Sequence, residues 1–202
     1  MSLVDIAREV SAALRAHPSV RDVRLVGSRG LGRPHELSDW DFAVVTEDFE
    51  AVAADLHRLV APLQPLSEQW DPYSKIECYM LLLEGPTKID LMFPERPRAW
   101  SPAWEPSPET LEAIDRHFWD WILWLEQKRR GGKHAQLAKS LRDMHELLLR
   151  PMGAERELTS LVEAAEAYLA ARETLERAYS VRVPRTLERE VRPVLEGETT
   201  PS

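Results

Sequence analysis

The chain has 202 residues, 44% of them hydrophobic and 30% charged, with a formal net charge of −8 and a single cysteine. That length holds one large domain or two small ones, each with a core. No apolar run approaches a membrane span, lone Cys78 excludes an intramolecular disulfide and a cysteine metal cluster, and the acidic balance argues against a long nucleic acid partner.

In chain order, the first residues lack the basic-then-apolar pattern of a secretory signal, which makes a cytoplasmic location the default expectation. Leu3, Ile6, Val10 and Leu14 recur on one helical face, and His17-Pro18 ends that helix. Val23, Leu25 and Val26 predict a strand that delivers the chain into Gly27-Ser28-Arg29-Gly30. Ser38-Asp39-Trp40-Asp41 then opens Phe42-Ala43-Val44-Val45, an apolar strand. Side chains alternate across a strand, so Asp39 and Asp41 share a face. Two carboxylates so placed repel unless a cation lies between them, and their hard oxygens suit Mg²⁺.

Phe49, Val52, Leu56, Leu59 and Val60 predict a second amphipathic helix. Residues 76–83 predict a strand, Glu84-Gly85-Pro86-Thr87 a turn, and residues 88–93 its hairpin partner. That partner carries Asp90, a charge inside an apolar stretch. Gly27 and Gly30 serve a tight turn in any reading, Ser28 serves as a helix cap, and Asp39 serves as a turn residue. Asp41 and Asp90 have no such local explanation, because each interrupts a strand pattern.

Pro94, Pro97, Pro102, Pro106 and Pro108 punctuate the next stretch, with Trp100 and Trp104 among them. Residues 94–108 are expected to form a linker held to the surface by its tryptophans, since Pro propagates neither helix nor central strand. Helices follow: one with Phe118, Trp121, Ile122 and Leu125 on a face, stopped by Gly131-Gly132, and one with Leu137, Leu141, Met144 and Leu148. A longer helix runs from Leu158 to Tyr179, a short one lies around Leu187 to Leu195, and residues 197–202 are expected to fray. Trp119, Trp121 and Trp124 read as core or interface. Lys128, Arg129, Arg130, Lys133, Lys139 and Arg142 form a basic cluster whose simplest explanation is a solvated helix end. His57, His117 and His145 sit on helices without partner ligands and are not expected to bind metal.

The ordered set of strand, Gly27-Ser28, Asp39-x-Asp41 and a later Asp90 resembles the nucleotidyltransferase superfamily that includes DNA polymerase β and the antibiotic nucleotidyltransferases. The resemblance implies an α+β fold. A mixed β-sheet catalytic domain over residues 1–93 would precede the linker and an α-helical bundle domain over 109–196. It also implies that Asp39, Asp41 and Asp90 hold two Mg²⁺ ions, with Asp39 and Asp41 bridging both. A substrate hydroxyl would then attack the α-phosphate of a nucleoside triphosphate, ATP being the expected one. Gly27, Ser28 and Arg29 would hold the outgoing phosphates, with Lys128 or Arg130 offsetting pyrophosphate charge from a cleft between the domains. Phe118-Trp119 and Lys128…Arg130-Gly131 are similar to a stretch in the helical part of some aminoglycoside enzymes. There an acidic residue follows the Gly; here Gly132 and Lys133 follow, so no helical-domain Glu is carried over.

The expected acceptor is a small hydroxylated, amine-rich molecule such as an aminoglycoside or lincosamide, giving antibiotic resistance. The alternative is a toxin–antitoxin nucleotidyltransferase that transfers AMP to a protein partner. Helical HEPN ribonucleases, the partners of such enzymes, carry an Arg-x4–6-His motif. Arg129 to His134 matches that spacing but straddles the Gly131-Gly132 break.

Overall fold

The computed structural model describes residues 3–196, and the expected fraying of 197–202 lies outside them. Within the first of two compact units, which meet between Trp100 and Ser101, a helix α1 (Leu3–Arg15) leads into strand β1 (Val20–Leu25). Ile6, Val10 and Leu14 are buried, as their four-residue spacing requires of one helical face. Arg15, in the last turn, donates from Nη2 to the Val23 carbonyl at 2.8 Å and ties helix to strand.

A single helical turn, α2 (Gly27–Gly30), separates β1 from β2 (Trp40–Thr46). Helix α3 (Phe49–Val60) follows, its N-terminus capped by the Asp48 carboxylate accepting from the Ala51 N–H. Strands β3 (Ser67–Trp70), β4 (Ile76–Leu83) and β5 (Thr87–Pro97) complete a five-stranded mixed sheet in the order β1-β2-β5-β4-β3. β2 and β5 run parallel, and the other neighbouring pairs are antiparallel. Phe42, Val44, Leu81, Leu91 and Phe93 pack with Val10, Leu14, Val52, Leu56 and Val60, so α1 and α3 cover one face. The alternate side chains therefore belong to the other face.

Two features depart from the sequence expectations. β3 was not anticipated: Ser-Glu-Gln-Trp lacks an apolar alternation, and it survives as a four-residue edge strand. β5 also runs three residues past Pro94, into the stretch expected to be linker. Its pairing with β2 ends at Met92, and a register shift separates Phe93, opposite Glu77, from Pro97, opposite Ile76. Beyond Met92 the strand is thus an edge with a bulge, the setting in which proline is tolerated.

The second unit is helical: α4 (Leu111–Arg130), α5 (His134–Met144), a π-helical turn over His145–Leu149, α6 (Leu161–Tyr179) and α7 (Thr186–Glu196). Leu158 precedes α6 rather than opening it. Phe118 and Tyr168 stack at 3.8 Å between ring centroids, and Trp119 is fully buried beside them. Asp115 gathers three donors here: Tyr168 Oη at 2.5 Å, Arg172 Nη1 at 3.0 Å and Trp119 Nε1 at 3.2 Å. The tryptophans of the Pro-rich stretch divide between the units. Trp100 stands edge-on to Tyr73, whereas the Trp104 backbone N–H donates to the Leu147 carbonyl at 2.9 Å. Among the described residues no helix is long and apolar enough to cross a membrane.

Candidate active site

Parallel register sets the site. Asp41 on β2 stands directly opposite Asp90 on β5, so both carboxylates project from the face that α1 and α3 leave. Asp39 lies just ahead of β2, two residues from Asp41 and buried. One oxygen from each of the three lies within 4.8 Å of the others.

Gly27 brings the α2 turn against this cluster. Its φ is +63°, a region L side chains rarely adopt, and a Cβ there would fall 1.9 Å from Asp41 Oδ2. A Cβ on Gly30 would approach the Leu25 carbonyl to 2.6 Å. Glycine at both positions is therefore a matter of space, and at Gly27 also of backbone conformation. The Val26 N–H donates to the Asp41 carbonyl at 2.8 Å, locking the turn to the strand that carries the carboxylate.

Arg29 points back toward the acids. Its Nε donates to the Ser38 carbonyl at 2.9 Å, and its guanidinium lies 4.2 Å from the Trp40 ring centroid. Partial burial lowers its pKa, against the raising pull of Asp39 and Asp41. Ser28 is half-buried in the same turn, and its carbonyl accepts from the Arg33 N–H.

Two residues of this face were missed in the sequence. Lys88 is buried, and its Nζ lies 2.5 Å from Asp90 Oδ1. Alternation alone places Lys88 beside Asp90, so the stretch holds two charges rather than one. Asp71, just past β3, accepts from the Tyr73 N–H at 2.8 Å. Burial pushes its carboxyl up, the Tyr73 bond and the charges of Lys88 and Arg98 pull it down, and Asp90 pushes it up. Asp71 and Asp90 thus share the field of one buried ammonium.

Three of the six residues of the basic cluster pair with acids one helical turn away. Arg129 and Arg130 both grip Glu126, whose side chain is fully buried, and Arg130 also donates to the Val194 carbonyl. Lys139 pairs with Asp143, and the Lys128 ammonium lies 4.4 Å from the Trp124 ring centroid. The i, i+3 and i, i+4 spacing of a helix brings Glu126 and Asp143, which flank the cluster in sequence, to these basic residues.

A glycine turn pressed against paired carboxylates on adjacent parallel strands is what the sequence resemblance requires, and comparison with known families decides the matter. Residues 7–97 match the nucleotidyltransferase domain family. The first unit carries a nucleotidyltransferase domain. No curated protein matches the chain. Among solved structures it is similar to an aminoglycoside 6-adenyltransferase from Bacillus subtilis, at 12% identity over 94% of this chain and 96% of that one, with a TM-score of 0.34. It is also similar to the polymerase core of TRAMP, an RNA surveillance complex, at 12% identity over 83% of this chain and 57% of that one, with a TM-score of 0.36. Both likenesses are distant, and neither assigns an activity here. The nucleotidyltransferase domain includes every strand of the sheet and all three clustered aspartates.

Proposed function

We propose that the chain transfers a nucleoside monophosphate, AMP from ATP, to a hydroxyl of a small acceptor and releases pyrophosphate. The observation that carries this reading is the register-locked convergence of Asp41 and Asp90 with Asp39, against a glycine turn that leaves no room for a side chain. The donor set fits Mg²⁺, being three hard carboxylate oxygens close enough to share a cation, two of them borne on adjacent strands of the sheet. When bound there, Mg²⁺ would neutralise charge on the reacting phosphate and favour the deprotonated acceptor hydroxyl.

The remaining roles belong to the protein's own groups. Gly27 lets the backbone approach the carboxylates, and Ser28 and nearby backbone N–H groups are assigned to the outer phosphates. Arg29, held by Ser38 and Trp40, offers a fixed positive charge beside them. Lys128 and Arg130 are proposed as further phosphate-binding residues; Arg130 must then share its guanidinium with Glu126.

The test is pyrophosphate release from ATP and Mg²⁺ by the purified chain, with and without aminoglycosides, lincosamides and other hydroxylated acceptors. Release that depends on such an acceptor is the expected outcome. Labelling of a protein tyrosine, with no response to small acceptors, overturns the choice of acceptor in favour of a protein-modifying enzyme.

A further inference from the structure

Lys88 is a buried ammonium at the Asp90 end of the carboxylate cluster. Its side chain is 3% exposed and sits two residues before Asp90 on the same face of β5, with Nζ 2.5 Å from Asp90 Oδ1. We infer that Lys88 is a built-in counter-charge for the carboxylate cluster, making free divalent cations bind weakly and coupling their uptake to the nucleotide's phosphates. This rests on the reading of Asp39, Asp41 and Asp90 as a cation site.

The charge pattern supports the inference. Three carboxylates with oxygens within 4.8 Å repel strongly unless positive charge is near. Arg29, which feels the charges of Asp39 and Asp41, and Lys88, paired with Asp90, offset two of the three. With Asp71 also in the field of Lys88, a divalent cation entering alone meets less negative charge than the carboxylates by themselves would present, and it also meets repulsion from an ammonium already seated on one ligand. A triphosphate brings the missing negative charge, so cation and nucleotide each raise the other's affinity by the same factor. Lys88 has little freedom to withdraw, since its stem is buried and its backbone is paired to β4 opposite Leu82. It acts through Asp90 and is a positioning residue.

Mn²⁺ binding to the full chain, read as loss of the free-ion signal in electron paramagnetic resonance, tests this without any turnover. Lys88→Met keeps the length and removes the charge; it should bind Mn²⁺ alone about tenfold more tightly or better. A non-hydrolysable ATP analogue should then raise Mn²⁺ affinity more in the parent chain than in Lys88→Met. Lys88→Arg should behave like the parent. A merely structural lysine would loosen the site when lost, so equal or weaker Mn²⁺ binding by a folded Lys88→Met overturns the inference. If Lys88→Met does not fold, thermal melting of Asp90→Asn and of the Lys88→Gln/Asp90→Asn pair decides. The single change should lower the melting temperature by stranding the ammonium, and the pair should recover it. Independent effects overturn the inference. Mn²⁺ bound by the parent with no gain in Lys88→Met sinks the counter-charge alone. No Mn²⁺ bound by either chain, even with the nucleotide analogue, sinks the cation site and the counter-charge with it.

Discussion

Gly27 and Asp41 compete for one volume, and glycine is what lets the carboxylate have it. In Gly27→Ala the new methyl would sit 1.9 Å from Asp41 Oδ2 at a backbone φ of +63°. The left-handed conformation alone costs an alanine about 1–2 kcal/mol, and the contact must push Asp41 out of line with Asp90. Turnover should fall by about a hundredfold or more, with only about 1–2 kcal/mol lost in urea unfolding. Near-normal pyrophosphate release would show that Asp41 need not hold this position. Asp41→Asn should remove nearly all turnover while changing stability by less than about 1 kcal/mol, because relieved carboxylate repulsion offsets lost contacts; steady-state rates and denaturation midpoints together check it. At this scale the aspartates and the glycine were legible because each breaks a local pattern. Lys88 was not, although period-two alternation from Asp90 points to it, because a lysine near a turn reads as ordinary surface.

Among the elements, those with a strong apolar signal were readable: α1 and α3 follow from their spacing, and β4 from its nearly continuous apolar run. β3 and the end of β5 were not, since a polar edge strand and a proline-bearing bulge draw their pairing from neighbours rather than from their own composition. The C-terminus of α4 shows a similar limit. Glu126 is buried, which raises its pKa, but bonds and charges from Arg129 and Arg130 outweigh burial and leave it lowered below 4.5. A depressed folded value means that the stability from this clamp is present above about pH 4.5 and disappears as pH falls through the folded pKa. Glu126→Gln should cost about 1–2 kcal/mol at pH 7, and the gap from the parent should close on acidification; urea unfolding between pH 7 and pH 3 measures it. A gap that stays constant with pH would remove the charge from the account. The buried triad around Asp115 is more demanding. Asp115→Ala strands the Tyr168 hydroxyl and leaves Arg172, 4% exposed, with Glu188 as its remaining carboxylate partner, so about 1–3 kcal/mol should be lost, read as a shift in the urea midpoint.

For the whole molecule, net charge makes a prediction that no single residue does. With 34 acidic against 26 basic residues, the chain should attract a polycationic acceptor from beyond contact distance and repel long nucleic acid. Screening shortens that reach to about 8 Å at physiological salt, so the attraction belongs to the rate of encounter and to KM rather than to the chemical step. Raising salt from about 50 to 300 mM should therefore raise KM for an aminoglycoside several-fold, leave kcat nearly unchanged and leave KM for an uncharged hydroxylated acceptor almost flat. ATP has the opposite sign and serves as the internal control: its KM should not rise with salt in parallel with that of the cationic acceptor. Equal salt dependence for cationic and neutral acceptors would mean that surface charge takes no part in selecting the acceptor, and that the choice rests on contacts within the site alone.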